Sequence, residues 1–167
     1  MATTPRPTRV ERWDVVCADH GHEGPTYALA GGTTTYGRLL GKTPRNEFAE
    51  FEALDHDVYE EVKQLVLQRR GGASGHSRCL TQVLGVACDR APSGYRYDFT
   101  SQRWCPVCGT SNLRECGPVI RGEGAASRIQ IDVVDIPLVT HREWAQLSQA
   151  EKRKRLRQAL READCLP

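Results

Sequence analysis

The chain has 167 residues, of which 39% are hydrophobic and 26% are charged, and its formal net charge is +2. This composition is typical of a globular chain with one ordinary domain, and it excludes a disordered or collagen-like chain. No apolar run approaches the roughly 18–20 residues of a membrane-spanning helix. The N-terminal stretch has no apolar segment of the kind that signal peptides contain, so we expect a cytoplasmic protein with no membrane partner.

Seven cysteines are a high number for a chain of this kind. Their number is odd, and reducing conditions disfavour stable disulfides, so we expect metal binding, catalysis or burial to account for them. The spacing of Cys105 and Cys108 makes them a pair. We expect Cys79, Cys88 and Cys165 to be buried as small hydrophobic residues rather than to act as ligands.

The N-terminal third predicts a short lead-in followed by strands. Residues 1–10 are polar and contain two prolines, which predicts a flexible lead-in before a single domain at 11–167. The alternation of Trp13, Val15 and Cys17 with Asp14 and Val16 predicts a strand with one buried face. A turn-rich stretch and a return strand follow.

A helix pair is predicted as an insertion at about residues 44–70. Apolar residues from Phe48 to Val66 recur at helical spacing, with Thr43 as a candidate N-cap. Asp55 would be buried by one continuous helix, so we place a break there, with Asp57 capping the second helix.

The C-terminal half predicts two strands, a further strand and a helix. The apolar run at 80–87 has the length of a strand, and the segment 95–100 alternates aromatic and polar residues. Alternation at 129–134 predicts another strand. Ser148 and Glu151 have the spacing of a capping box and predict the start of the last helix.

The order of strands, helix pair, strands and helix predicts an α+β fold. We expect an antiparallel sheet with the helices packed on one face. This sheet would carry the inserted helix pair and the C-terminal helix.

Two short segments have the residue pattern of a metal-binding knuckle. CPVCG, at 105–109, and CADHG, at 17–21, both place a cysteine, two residues, a second potential ligand and then a glycine. In such a turn two side chains converge on one metal ion, and the glycine provides the positive φ angle that the turn requires. Together they resemble the knuckles of zinc ribbons and rubredoxin-like proteins, a resemblance that covers only these two motifs.

The resemblance implies a structural zinc ion held by Cys17, His20, Cys105 and Cys108. Three thiolates and one imidazole would close a tetrahedral site with no open position. The pattern departs from the usual ribbon because His20 stands where a cysteine is usual, and because residues 21–104 separate the two halves. We interpret His22 as a solvated turn residue, although His22 and Cys116 remain alternatives to His20 as the fourth ligand.

The basic residues at the start of the last helix predict a surface for an anionic partner, and the alternative is a solvated terminal helix that the acidic helix at 45–62 partly neutralises. They wrap around the N-terminal half of the helix, where the helix dipole disfavours positive charge, so local stability does not explain them. The candidate partner-binding residues are Lys152, Arg153, Lys154, Arg155 and Arg157.

These features favour a non-enzymatic, zinc-stabilised binding protein that acts on a macromolecular partner. The favoured partner is another protein, so the chain would be an adaptor, an inhibitor or an immunity-type protein. The first alternative is a nucleic-acid-binding protein that uses the basic helix, with Tyr95, Tyr97 and Phe99 as stacking groups if they are exposed. The second alternative is a zinc-dependent enzyme that uses His22 or Glu23 as a base at an open metal position. A redox dithiol at Cys105 and Cys108 is disfavoured because the following segment is a poor helix.

Overall fold

The computed structural model of the chain describes residues 4–31, 37–70 and 76–165. The strands in these segments are β1 (Arg6–Cys17), β2 (Glu23–Leu29), β3 (Arg38–Lys42), β4 (Phe48–Glu52), β5 (Leu113–Pro118), β6 (Ile120–Arg121), β7 (Arg128–Ile129) and β8 (Ile131–Ile136). The α-helices are α1 (Asp57–Arg70), α2 (His76–Val83), α3 (Arg142–Gln146) and α4 (Gln149–Glu162). These antiparallel strands and helices confirm the α+β class.

The main sheet is built on the long strand β1. Strand β2 pairs with one edge of β1, and β8 and β5 pair one after the other along the opposite edge. Thr8 and Val10 are buried in the first half of β1, whereas Val15 and Cys17 are buried in the second half. The buried positions change from even to odd numbers, so the two halves of β1 bury opposite faces.

The hydrophobic core lies between the β3–β4 hairpin and the helices. Its largest fully buried side chains include Phe51, Leu84, Trp144 and Leu160. Full burial of one such side chain contributes about 1.5–3 kcal/mol. A second cluster of Val10, Leu40 and Ile136 joins the hairpin to the main sheet.

The buried Glu50 carboxylate ties the hairpin to the sheet. Its side chain is 0% exposed and accepts hydrogen bonds from Arg6, Arg38 and Thr8. Burial acts to raise the pKa of Glu50, but the hydrogen bonds from Arg38 and Arg6 outweigh it, so this pKa lies below its usual range.

The predicted helix pair at 44–70 is wrong in its first half. Residues 48–52 form β4, and the helix α1 begins at Asp57. Thr43 accepts hydrogen bonds from the backbone N–H groups of Arg45 and Glu47, so it stabilises a turn between strands instead of a helix start. The helical interpretation failed because Ala49, Glu50 and Phe51 are all buried, which removes the alternation typical of a strand.

Three other sequence predictions are corrected. The run at 80–87 belongs to α2 and to a 3₁₀ turn at Leu84–Ala87, and because that turn is buried at every residue it has the same apolar run as a buried strand. The segment 95–100 forms no strand, and within the described residues it pairs through one bridge between Lys42 and Asp98. Residues 6–10 are not a flexible lead-in but the first part of β1.

Cys79 and Cys165 form a disulfide that joins α2 to the segment after α4. Both residues are buried, as predicted, but the expectation that disulfides are disfavoured does not hold for this pair. The predicted capping box at Ser148 and Glu151 is confirmed. Of the helices in the described segments, none combines the length and apolar character needed to cross a bilayer.

Candidate metal centre

The first knuckle begins where β1 ends. The backbone N–H of Cys17 donates to the carbonyl of His22 over 2.8 Å, and the N–H of Gly21 donates to the carbonyl of Cys17 over 3.0 Å. Gly21 has φ 69°, the positive value that favours glycine. These two hydrogen bonds close a tight turn from residue 17 to residue 22.

The second knuckle repeats the same backbone hydrogen bonds. The N–H of Cys105 donates to the carbonyl of Thr110 over 2.8 Å, and the N–H of Gly109 donates to Cys105 over 2.9 Å. Gly109 has φ 73°, and a Cβ atom there would lie 2.7 Å from the Pro44 carbonyl oxygen. The two motifs that look alike in sequence therefore have the same local conformation, with glycine required at the same place.

The two knuckles bring four potential ligands together: Cys17, His22, Cys105 and Cys108. One ligand atom from each lies within 4.8 Å of the others. The Sγ atoms of Cys17 and Cys108 are 3.7 Å apart, and Cys105 Sγ is 3.8 Å from His22 Nδ1. Tetrahedral bonds of the usual zinc lengths would place two sulfurs about 3.8 Å apart and a sulfur and nitrogen about 3.6 Å apart. The donor set and its spacing thus fit one four-coordinate metal ion.

The environment of the thiols favours bound positive charge. Burial acts to raise the pKa of Cys17, but backbone hydrogen bonds from His20 and Asp19 outweigh it and lower that pKa. The pKa of Cys105 is also lowered, because the N–H groups of Cys108 and Val107 outweigh the effect of burial. Two thiolates close together repel each other, and a shared cation removes this repulsion.

The third thiol of the group, that of Cys108, has a raised pKa instead of a lowered one. The Thr110 N–H acts to lower the pKa of Cys108, but burial and the neighbouring thiols of Cys105 and Cys17 outweigh it and raise that pKa.

The structure groups His22, and not His20, with the three predicted cysteines. His20 is exposed, and its Nδ1 lies 4.0 Å from Cys17 Sγ in a separate group with Asp19. The rings of His20 and His22 stack with their centroids 5.2 Å apart. His22, interpreted from sequence as a solvated turn residue, is half-buried instead.

The backbone of the first knuckle explains why His22 lies close to Cys17. Because the turn closes with a hydrogen bond from Cys17 to the carbonyl of His22, these two residues face each other like a cross-strand pair. The other alternative ligand, Cys116, is exposed on β5 and lies outside the group.

The predicted partner-binding residues of α4 divide into two groups. Lys152 donates to both carboxylate oxygens of Glu61 on α1, and its side chain is only 12% exposed. Arg155 is paired with Glu143 at 3.7 Å. The exposed residues with no carboxylate partner among the described residues are Arg153, Lys154 and Arg157.

Comparisons with protein-family models, with curated proteins and with solved structures find no match to this chain. The function must therefore be inferred from the geometry and chemistry of its own residues.

Proposed function

We propose that this chain is a non-enzymatic binding protein that is stabilised by a structural zinc ion and acts on a macromolecular partner. The observation that carries the proposal is the group of Cys17, His22, Cys105 and Cys108 at the junction of two knuckles. Three thiolates and one imidazole are a common ligand set of structural zinc sites. Sulfur-rich tetrahedral sites select zinc over the harder magnesium and calcium ions.

The same group argues against an enzyme. A catalytic zinc site keeps one position for water or substrate, whereas the protein here supplies four ligand atoms. His22 would be a ligand and would no longer be available as a general base. The role of the zinc ion would be to hold the end of β1 against the segment before β5.

A redox role for Cys105 and Cys108 also has little support. Reactive Cys-x-x-Cys pairs gain their low pKa at the start of a helix, whereas residues 106–108 form a turn that is followed by β5. The Sγ atom of Cys108 also lies 3.7 Å from that of Cys17 on the other knuckle, so it is not isolated with Cys105 as a dithiol pair.

The partner is proposed to be anionic. The acidic residues near α1 are largely used within the protein, since Glu50, Glu60 and Glu61 each have a basic partner. The exposed basic residues of α4 have none among the described residues. An acidic protein surface, which the sequence favours, and nucleic acid both carry the required charge.

Metal content and thermal unfolding test the structural zinc ion. We expect about one zinc ion per purified chain by elemental analysis, and a lower Tm after chelation, because metal binding is coupled to folding. Cys108→Ser should lose the metal and lower Tm. Cys116→Ser is the matched control, since this exposed thiol lies outside the group.

If Cys108→Ser keeps its metal and its Tm, the zinc site is assigned to the wrong residues. If the wild-type chain binds no metal ion, the proposal fails.

A further inference from the structure

A groove lined by arginine and aromatic side chains lies next to the second knuckle. We call it the arginine–aromatic groove, and its lining includes Arg90, Tyr95, Arg96, Tyr97 and Trp104. Its volume is about 730 Å³, within the range of roughly 300–1,000 Å³ that ligand-binding clefts occupy. This combination of side chains is separate from the group of Cys17, His22, Cys105 and Cys108 and from the basic residues of α4.

The aromatic residues of the groove have different roles. Tyr95 is 44% exposed, and Trp104 is half-buried. Tyr97 packs against the hydrophobic core, and its carbonyl oxygen would lie 2.0 Å from a Cβ atom on Gly85. Tyr97 therefore forms a fixed wall, while Tyr95 and Trp104 offer aromatic surface to a ligand.

Among the described residues, Arg90 and Arg96 form no ion pair with a carboxylate. Arg90 donates to the carbonyl of Gly94 at 2.8 Å, and Arg96 to that of Val86 at 3.5 Å, and neither has a carboxylate partner among the described residues. Burial, followed by repulsion from Arg90 and Arg155, lowers the pKa of Arg96, and this outweighs the opposite effect of Glu143 and Glu162. This clustering of like charge disfavours the unliganded protein and favours a bound anion.

One acidic residue, Asp98, also lines the groove. Its carboxylate accepts hydrogen bonds from the backbone N–H and the hydroxyl group of Thr100, at 2.6 Å and 2.5 Å. These hydrogen bonds hold Asp98 in the local turn, and among the described residues it forms no ion pair with Arg90 or Arg96.

Two neighbouring cavities extend the groove along α2. A cavity of about 280 Å³ shares Arg96 with the groove and reaches Arg155 on α4. Another cavity of about 710 Å³ shares Gln82 with it and is lined by Arg78 and Arg103. Arginines thus line each of the three cavities, with Asp98 and Glu162 as the acidic lining residues, and this recurrence suits a linear polyanion better than one small anion.

Three loops fix the shape of the groove. The backbone N–H of Ser93 donates to the Glu47 carboxylate over 3.0 Å, which joins the loop after α2 to the turn between β3 and β4. The second knuckle rests on the same turn through the contact of Gly109 with Pro44. Because Trp104 directly precedes the ligand Cys105, the metal centre also positions one aromatic wall.

We infer that the arginine–aromatic groove binds single-stranded nucleic acid, with bases stacked on Tyr95 and Trp104 and phosphates bound by Arg90 and Arg96. The inference rests on the proposed binding function and identifies its partner. Aromatic side chains stack on unpaired bases of any sequence, and a duplex keeps its bases stacked on each other. An acidic segment without planar rings would use the arginines but would not stack on the two aromatic faces.

Fluorescence anisotropy with zinc-loaded full-length chain tests this inference. The probes are labelled oligo(dT) and oligo(U) of about ten nucleotides, within the range of about 4–16 that one binding domain covers. A duplex of the same length and poly-glutamate are the competitors. We expect one or both single strands to bind more tightly than the duplex and poly-glutamate. Equal or tighter binding of either competitor, or no binding of the single strands, would overturn the inference.

Two exposed variants test the two kinds of contact. Tyr95→Ala should weaken binding about tenfold, because stacking on one aromatic side chain has an effect of this order. Arg96→Gln should reduce the slope of log affinity against log salt by about 0.7, the value for one phosphate contact to a single strand. Arg128→Gln, on β7 outside the groove, is the control and should change neither quantity.

Binding that is unchanged by both variants would show that the groove is not the site. Zinc content and Tm measured on the same samples separate this result from a failure of the proposed zinc site.

Discussion

The Sγ atoms of Cys17 and Cys108 lie 3.7 Å apart at the place where the two knuckles meet. Cys17 is the last residue of β1, and its side chain is 0% exposed, whereas Cys108 is exposed at the tip of the second knuckle. Cys17 therefore marks the buried side of the group of four potential ligands, and Cys108 marks its solvent-exposed side. Access for metal and chelators would be from the side of Cys108.

The two adjacent histidines provide a matched test of the fourth ligand. We expect His22→Ala to weaken metal binding by more than the roughly 10- to 100-fold that changes around the ligands cost. His20→Ala should keep metal affinity, because His20 lies outside the group of four. Competition with a chromophoric chelator measures both affinities, and absorption of the Co²⁺-substituted chain reports the ligand set. A loss of metal affinity in His20→Ala alone would instead support His20 as the fourth ligand, as predicted from the sequence.

We expect Glu50 to make the free energy of unfolding depend on pH in the acidic range. Its pKa is lowered in the folded chain, so its contribution is present above its unfolded pKa of about 4.3 and is lost as pH falls through the folded pKa. The free energy of unfolding should therefore decrease below about pH 5, and less steeply in Glu50→Gln. Urea unfolding at several pH values measures this slope.

Replacement of Glu50 by alanine should also destabilise the chain at neutral pH. Arg6 and Arg38 would lose a buried partner, which costs about 3–5 kcal/mol for a fully buried pair and less here because both arginines are partly exposed. Glu52→Ala is the control, since this exposed carboxylate pairs with Arg6 and should contribute about 0–1 kcal/mol. Equal losses in the two variants would contradict the role assigned to Glu50.

The Cys79–Cys165 disulfide should stabilise the chain under oxidising conditions. It closes a loop with a sequence separation of 86 residues, and loops of this length correspond to about 4–5 kcal/mol in the chain-entropy model. Cys165→Ser should lower Tm in the absence of reductant and should match the reduced wild-type chain in its presence. Thiol titration of the denatured chain shows whether the bond has formed.

Lys152 is expected to act in folding and not in partner binding. Lys152→Ala should cost about 1 kcal/mol, because it removes the hydrogen bonds to Glu61 between α4 and α1. The exposed Lys154→Ala should leave the free energy of unfolding within about 0.5 kcal/mol. Denaturant unfolding of the two variants distinguishes these roles, and equal stability would contradict the assignment.

Gly85 is expected to be required for packing beneath the arginine–aromatic groove. A Cβ atom at this position would lie 2.0 Å from the Tyr97 carbonyl oxygen, so Gly85→Ala must displace the backbone at a cost of about 1–3 kcal/mol or more. Gly117→Ala is the control, because a Cβ atom there meets nothing within 4 Å. Thermal unfolding of both variants is the measurement.

The parts of the site that depend on local turn chemistry were predictable from the sequence. A cysteine, a second ligand and a glycine at fixed spacing leave few conformations for a short loop, and both knuckles have the expected positive φ at Gly21 and Gly109. The choice between His20 and His22 depends on which ring faces the other knuckle. That relation involves residues distant in the chain, so no local pattern contains it.

The errors in the fold have a common physical cause. Hydrophobic periodicity reports secondary structure only where one face of an element is buried. β4 buries Ala49, Glu50 and Phe51 in succession, and the 3₁₀ turn after α2 is buried at Leu84 and Val86. In both places the hydrophobic residues therefore follow one another without the period that identifies a strand or a helix. The capping box at Ser148 was predicted correctly because it depends on one local pair of residues.

The central position of β1 limits where the chain can tolerate insertions and deletions. Three strands take their register from β1, and Cys17 ends it. Deletion of one residue within β1 would turn every later side chain of the strand to the opposite face and would withdraw Cys17 from the other ligands. The β6–β7 hairpin is exposed and, in the described part of the chain, its two strands pair with each other alone, so insertions there should be tolerated where those in β1 are not.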